Sequence, residues 1–250
     1  MKNQKNQILH IGLISAVPEE LGQILENLND ITESKYGDLT IFSGLWIRSN
    51  EKKIYITAAW SGWGKVSAAR ATTRIINSTI NDRKVDFLIF TGVAGAANKV
   101  VKQWDIVLAD SIVQHDMDAR PLFKKFELPS LKKIKMHPPN NLLKKISEIL
   151  SQQNSYKLGS LKKGLIATGD MFISDLDTLN KVNKELPGLL AVEMEGGAFA
   201  QVASQENVDW IVLRVISDGA DNEAAQDFEA FLKEYTKYSW ELIESILKNF

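Results

Sequence analysis

Two short apolar runs, residues 189–192 and 211–216, end abruptly in acid, with Glu193 and Glu195 after the first and Asp218 after the second. Apolar runs of this length, closed by turn residues, read as strands buried on both faces, which only a sheet covered by helices provides. Carboxylates at the mouths of such strands lose solvation and have to be compensated. Ligands of open α/β sheets collect at the carboxyl ends of strands, so these three acids are candidates for chemistry.

The rest of the chain follows the same alternation. Residues 8–14 read as a first buried strand, and Pro18 with Glu19 and Glu20 suits the first turn of a helix reaching to about residue 28. Residues 39–48 and 53–60, separated by Ser49-Asn50-Glu51-Lys52, predict a hairpin. Helices are predicted over 65–80, 141–153, 175–185, 195–205 and 227–248, and strands over 85–90, 104–109, 161–167, 189–192 and 210–216. The order predicts an α/β fold of three layers, α/β/α, around a central mixed and mostly parallel sheet whose antiparallel part is the hairpin. No linker interrupts the 250 residues, so one domain spanning 1–250 is expected.

Residues 119–145 depart from the pattern. They are rich in lysine and carry Pro121, Pro129, Pro138 and Pro139, so they must be largely loop up to the helix. Two readings stand: a solvated surface excursion, or a lid or subunit-contact loop whose cations meet an anionic ligand tail.

Several function classes are disfavoured at this point. The net charge of -1 offers no general attraction to nucleic acid or to an anionic membrane. No apolar stretch approaches a membrane span, and the polar start MKNQKNQ lacks a signal-peptide core, so a cytoplasmic protein is expected. The chain has no cysteine, and His10, His115 and His137 lack metal-ligand spacing, so no metal is expected.

Glycine-rich turns follow three of the strands, at Ser61-Gly62-Trp63-Gly64, Thr91-Gly92-Val93-Ala94-Gly95 and Thr168-Gly169-Asp170. They allow a ligand close to the backbone, yet none is a dinucleotide fingerprint or a Walker A loop. With Ala16-Val17-Pro18-Glu19-Glu20, Gly169-Asp170-Met171-Phe172-Ile173, Val192-Glu193-Met194-Glu195 and Arg214-Val215-Ile216-Ser217-Asp218, they form six motifs in order. This series resembles the methylthioadenosine/S-adenosylhomocysteine nucleosidases of the purine nucleoside phosphorylase and uridine phosphorylase superfamily, from Ile8 to about Leu247.

The resemblance implies a nucleosidase that releases adenine from a 5′-modified adenosine, works as a homodimer and takes no cofactor. It implies Asp218 as general acid toward N7 of the base, holding its proton near neutral pH, and Glu20 as holder of the attacking water. Glu195 would bind ribose hydroxyls with Met194 beneath the sugar, and Glu193 is either a sugar-side or a structural group. Phe172 would stack on the base while the backbone of Ile173 reads its edge. Arg214, inside an apolar strand, must meet a carboxylate, with one of the site acids such as Glu20 as the expected partner, and Ser217 would support the loop of Asp218.

Two positions depart from the family pattern. Val93 stands where serine is usual, and Trp63 stands where a plain aliphatic is usual, which adds aromatic bulk beside sugar or base. No arginine precedes the Thr91 turn, and this favours water over phosphate as nucleophile. Segment 115–123 resembles the part that reaches the 5′ end of the substrate: Leu122, Phe123 and Pro129 suit a methylthio group, whereas Arg120 suits a carboxylate or phosphate. Nucleosides such as AMP or futalosine-like compounds, a phosphorylase, and a nucleoside-binding module without catalysis stay open as alternatives.

Overall fold

The structure is a computed structural model that describes residues 8–48, 52–153, 155, 157–220 and 224–250. In chain order its elements are β1 (Leu9–Ser15), β2 (Asn29–Tyr36), β3 (Leu39–Ile47), β4 (Lys53–Trp60), α1 (Lys65–Ile76), β5 (Thr79–Ile80), β6 (Arg83–Lys84), β7 (Phe87–Phe90), β8 (Val93–Ala96) and β9 (Ile106–Gln114). There follow α2 (Asn140–Ser151), β10 (Leu161–Thr168), α3 (Leu176–Glu185), β11 (Leu189–Glu193), α4 (Gly196–Gln205), β12 (Asp209–Asp218), α5 (Ala224–Tyr235) and α6 (Ser239–Lys248).

Ten strands form one mixed sheet in the order β2-β3-β4-β1-β7-β12-β8-β11-β10-β9, and β9 also pairs with β12. That extra pairing curls the second half of the sheet back on itself. The hinge of the arrangement is β12, which runs parallel to β7 over Asp209 to Val212 and parallel to β8 from Val215 to Asp218. Between these stretches, Leu213, Arg214 and Val215 pair with β9. One long strand thus carries Arg214 at the crossing of the two halves and Asp218 at its exit.

Helices cover both faces. On one side α2 and α6 place Ile146, Leu150, Ile243 and Ile246 over Ile11, Ile56, Ile211 and Leu213. On the other, α1 and α4 meet through the small residues Ala68, Ala71, Ala200 and Ala203, which let the two helices approach closely while Phe199 packs on Phe90 at 5.2 Å. Residues 119–139 form no helix or strand; a bridge between Ile112 and Met136 holds the excursion to β9, and one between Leu128 and Lys133 closes it on itself.

The structure differs from the sequence expectations in identifiable places. No helix spans 18–28: two 3₁₀ turns, Pro18–Glu20 and Leu25–Asn27, flank Gly22, whose φ of 52° breaks any helix there. Strand β2 was not anticipated because NDITESKY is exposed at every position and shows no alternation; it is the open edge of the sheet. The helix expected over 65–80 stops at Ile76, and the short hairpin β5–β6 turns through Asn81 and Asp82 at φ of 50° and 60°. The segment from Val93 is a strand and not only a turn, β9 extends five residues past Ala109, and the helix expected over 227–248 is divided into α5 and α6. The Ser49-Asn50-Glu51 part of the predicted hairpin turn lies outside the described residues, while its strands pair antiparallel.

Candidate active site

The site is assembled where β1, β4, β8, β10, β11 and β12 end. Beyond β1, the 3₁₀ turn bends Glu20 back on its own loop, so that Oε2 accepts the N–H groups of Ala16 at 2.8 Å and Val17 at 3.1 Å. Its Oε1 accepts the N–H of Val93 at 2.8 Å, joining the β1 loop to the start of β8. This close approach requires Gly92: its φ is 151°, and a Cβ there would overlap both Glu20 Oε1 and Arg214 Nη1.

Arg214 lies behind the cleft, fully buried, its guanidinium carbon 4.6 Å from the centre of the Phe90 ring. Its Nη2 donates to Glu193 Oε2 and, at 3.5 Å, to Glu195 Oε2; its Nη1 lies 3.9 Å from Glu20 Oε1 and donates to the Thr91 carbonyl at 3.3 Å. The partner expected for it was one of the site acids, such as Glu20; it stands within ion-pair reach of Glu20, Glu193 and Glu195, and its tightest bond is to Glu193. One guanidinium serves three buried acids, so the site carries an excess of negative charge.

Glu193 is saturated. Its Oε1 takes the Thr168 hydroxyl, and its Oε2 takes the N–H groups of Glu195 at 3.1 Å and Gly196 at 2.7 Å besides Arg214. This carboxylate therefore organises the start of α4 and holds Glu195 in place. Among the described residues Glu195 accepts the Gly64 N–H at 2.8 Å and the long Arg214 contact, which leaves lone pairs free to accept further hydrogen bonds in the cleft.

Burial pushes the Glu20 carboxyl above the ordinary range, against the pull of Arg214 and the three amides. Burial and the charge of Glu193 raise Glu195 likewise, with Arg214 and Gly64 opposing. Burial works against the Arg214 cation as well, but the three neighbouring acids outweigh it and hold its charge more firmly than usual.

At the end of β12, Asp218 Oδ1 accepts the Ala220 N–H at 2.8 Å, and Oδ2 lies 2.6 Å from Ser217 Oγ, which is itself 3.2 Å from the Ala94 carbonyl. The geometry suits both protonation states. An ionised Asp218 receives the Ser217 proton; a protonated Asp218 donates to Ser217 Oγ, whose proton turns to Ala94.

Glu20, Glu193, Glu195 and Asp218 line one cleft. Its wall includes Glu20, Trp63, Val93, Phe172, Ile173, Glu193, Met194, Glu195, Ser217 and Asp218, all singled out in the sequence, together with Phe228, Met171 and Val17, which were not. Phe228, on α5, stands edge to face between Trp63 at 6.0 Å and Phe172 at 5.9 Å. Its only sequence signal is the i, i+3 pair with Phe231, of which Phe231 packs on Trp104 in the core. No Lys, Arg or His is among the described residues that line the cleft. Arg120, Leu122, Phe123 and Pro129 do not line it either; Arg120 is forked onto Asp118, and Leu122 is 84% exposed.

Comparison with known proteins identifies the family. A sequence model of the phosphorylase superfamily matches residues 10–248. The 5′-methylthioadenosine/S-adenosylhomocysteine nucleosidase of Staphylococcus aureus is 32% identical over 237 residues, covering 95% of this chain and 98% of the relative. The nucleosidase of the same name from S. pneumoniae, solved with the transition-state inhibitor MT-ImmA, superimposes with a TM-score of 0.84 at 31% identity over 96% of this chain and 99% of its own. The futalosine hydrolase of Helicobacter pylori also superimposes with a TM-score of 0.84, at 31% identity over 97% and 99% of the two chains. With the fold, the family model and the relatives in agreement, the chain belongs to the methylthioadenosine/S-adenosylhomocysteine nucleosidase family of the phosphorylase superfamily and is an N-glycosidase of that family.

Proposed function

We propose that the chain hydrolyses the N-glycosidic bond of a 5′-modified adenosine, with 5′-methylthioadenosine and S-adenosylhomocysteine as its first substrates. The observation that carries this reading is the meeting of three buried acids, Glu20, Glu195 and Asp218, in one cleft with the ring of Phe172. Cleavage builds positive charge on the ribose while the electron pair of the C1′–N9 bond passes into the purine. A desolvated cleft with more carboxylates than cations stabilises that charge.

In this reading Asp218 gives its proton to N7 as the bond breaks. Water held by Glu20 attacks C1′ and loses its proton to that carboxylate, whose raised proton affinity suits a base. Glu195 accepts hydrogen bonds from ribose hydroxyls, with Met194 under the sugar, and Phe172 and the Ile173 backbone hold the base. The products are free adenine and the 5′-modified ribose, and no cofactor enters. Water is preferred over phosphate because the cleft offers an oxyanion no cation, and its one nearby guanidinium is committed to acids. The same absence disfavours AMP.

A second reading, a futalosine-like nucleoside, is favoured by the equal structural likeness of the Helicobacter pylori hydrolase and by the extra aromatic Trp63. The test is a panel of purine nucleosides with apolar and charged 5′ groups, read as free base with and without phosphate. Adenine release from the thioether nucleosides without phosphate, lost by about 10²–10⁴-fold in Asp218→Asn, is expected. Strict phosphate dependence makes the chain a phosphorylase, preference for a futalosine selects the second reading, and tight binding without turnover makes it a binding module.

A further inference from the structure

The turn that supplies Glu195 with its N–H donor is held from outside the cleft. Gly64 has a φ of 89° and no side chain with which to cap α1. Asp170, more than one hundred residues away, caps the helix in its stead: its Oδ1 accepts the Lys65 N–H at 2.7 Å. A Cβ on residue 64 would stand 2.9 Å from that same oxygen, so the loops are in direct contact. Asp116, just past β9, closes the ring. Its Oδ1 takes Lys65 Nζ at 2.7 Å, and its Oδ2 takes the Asp170 N–H at 3.0 Å. Lys65 Nζ also stands 3.9 Å from Asp170 Oδ2.

Three loops that end three different strands are therefore tied by one cation and two carboxylates. On one side of the tie is Gly64, bonded to Glu195; on the other, immediately after Asp170, come Met171 and Phe172, which line the cleft. The side chains of Lys65, Asp116 and Asp170 are 20%, 28% and 49% exposed. Ion pairs at that exposure add little to stability, and two of the bonds are spent on fixing backbone amides in place. The arrangement is a device of geometry.

We propose that Lys65, Asp116 and Asp170 form a clasp that sets the Gly64 N–H against Glu195 and so aims this carboxylate at the ribose hydroxyls, while fixing the height of Phe172 over the same ligand. The three are positioning residues and touch no substrate. The inference rests on the nucleoside reading of the cleft. Its consequence is that discrimination for the ribose hydroxyls resides partly outside the cleft.

The test compares kcat/KM for 5′-methylthioadenosine and its 2′-deoxy and 3′-deoxy counterparts in wild type, Asp170→Ala, Asp170→Asn and Lys65→Met. In wild type, removing the hydroxyl that meets Glu195 costs roughly tenfold or more, the size of a hydrogen bond to a charged acceptor. In Asp170→Ala and Lys65→Met this penalty falls to roughly threefold or less, because the misaimed carboxylate no longer distinguishes the two substrates. Asp170→Asn, which keeps an oxygen for the Lys65 N–H, restores it. General damage to the fold lowers all three substrates alike and leaves the ratio unchanged. An unchanged ratio in Asp170→Ala and Lys65→Met, in a wild type that cleaves the parent nucleoside, overturns the clasp alone. A wild type that neither binds nor cleaves any of these nucleosides overturns the reading beneath it.

Discussion

Arg214 is the residue on which the others depend. A guanidinium with no exposure in the middle of a strand is tolerated only because carboxylates meet it, and removing one member of such a cluster leaves charge buried without compensation. Arg214→Met is expected to cost about 3–5 kcal/mol, read as a lowered urea midpoint. Glu195 has the opposite character. Its proton affinity is raised by burial and by Glu193, so its ionised form weighs against the fold at alkaline pH, and that cost fades as pH falls toward its unfolded value. Glu195→Gln is expected to raise stability by on the order of 1 kcal/mol at pH 9, with no gain near pH 4.5, while ribose binding is lost. Glu20 must be ionised to take a proton from water, and burial raises its proton affinity. The acid limb of kcat/KM should therefore lie above the ordinary glutamate range of about 4.5 and vanish from the residual activity of Glu20→Gln. The sequence makes plain that Arg214 must meet an acid, since apolar neighbours on both sides leave it no other partner. Which acids it meets is decided by the folded loops, which bring Glu20, Glu193 and Glu195 around one guanidinium.

At the scale of elements, the mouth of the site depends on strand ends held at van der Waals distance. Gly92→Ala adds a methyl group where Glu20 and Arg214 meet, and it should lower kcat by more than about tenfold while most of the protein stays folded at room temperature. Away from the cleft, β1 carries His10, fully buried, with Nε2 2.8 Å from the Thr57 hydroxyl and Nδ1 3.0 Å from the Arg83 carbonyl. Burial lowers its proton affinity, so the folded ring resists the proton that the unfolded chain takes up below about pH 6.5. Its contribution is present above that pH and lost below it. His10→Gln should cost about 1–2 kcal/mol at pH 8, and the gap to wild type should narrow by pH 5.5, as urea titrations at both pH values would show. The buried strands were legible because their apolar runs are unbroken. Strand β2 and the 3₁₀ turns were not: an edge strand with no buried face has no periodicity to read, and Gly22 at the break lies against Thr236 and Ser239, more than two hundred residues on. Nor does helical periodicity reveal that α5 and α6 are separate, since both bury apolar faces.

Across the whole molecule, the curled half of the sheet brings acids from three distant segments to one cleft, and this convergence is what a linear reading could only infer from the order of motifs. The segment around Arg120 and Leu122 does not reach the cleft of its own chain. Trp63, Val66, Met171 and Leu176 are exposed on the segments that border the mouth, and in the homodimer that the resemblance implies these are the side chains expected to be covered. Sedimentation should give twice the mass of the chain, and a charge placed at Val66 should yield monomers of reduced activity. Among the described residues no helix is long and apolar enough to cross a membrane. Hydrolysis at this site requires that one nucleoside meet Asp218 and Glu195 directly while Glu20 stands across C1′ with the water between them. The direct measurement is a crystal structure of the protein with a non-hydrolysable 5′-methylthioadenosine analogue: the account predicts the purine on Phe172 with N7 within hydrogen-bond reach of Asp218, ribose hydroxyls on Glu195, and Glu20 on the opposite face of C1′. An analogue bound with its sugar away from Glu195, or with Asp218 out of reach of the base, would contradict it.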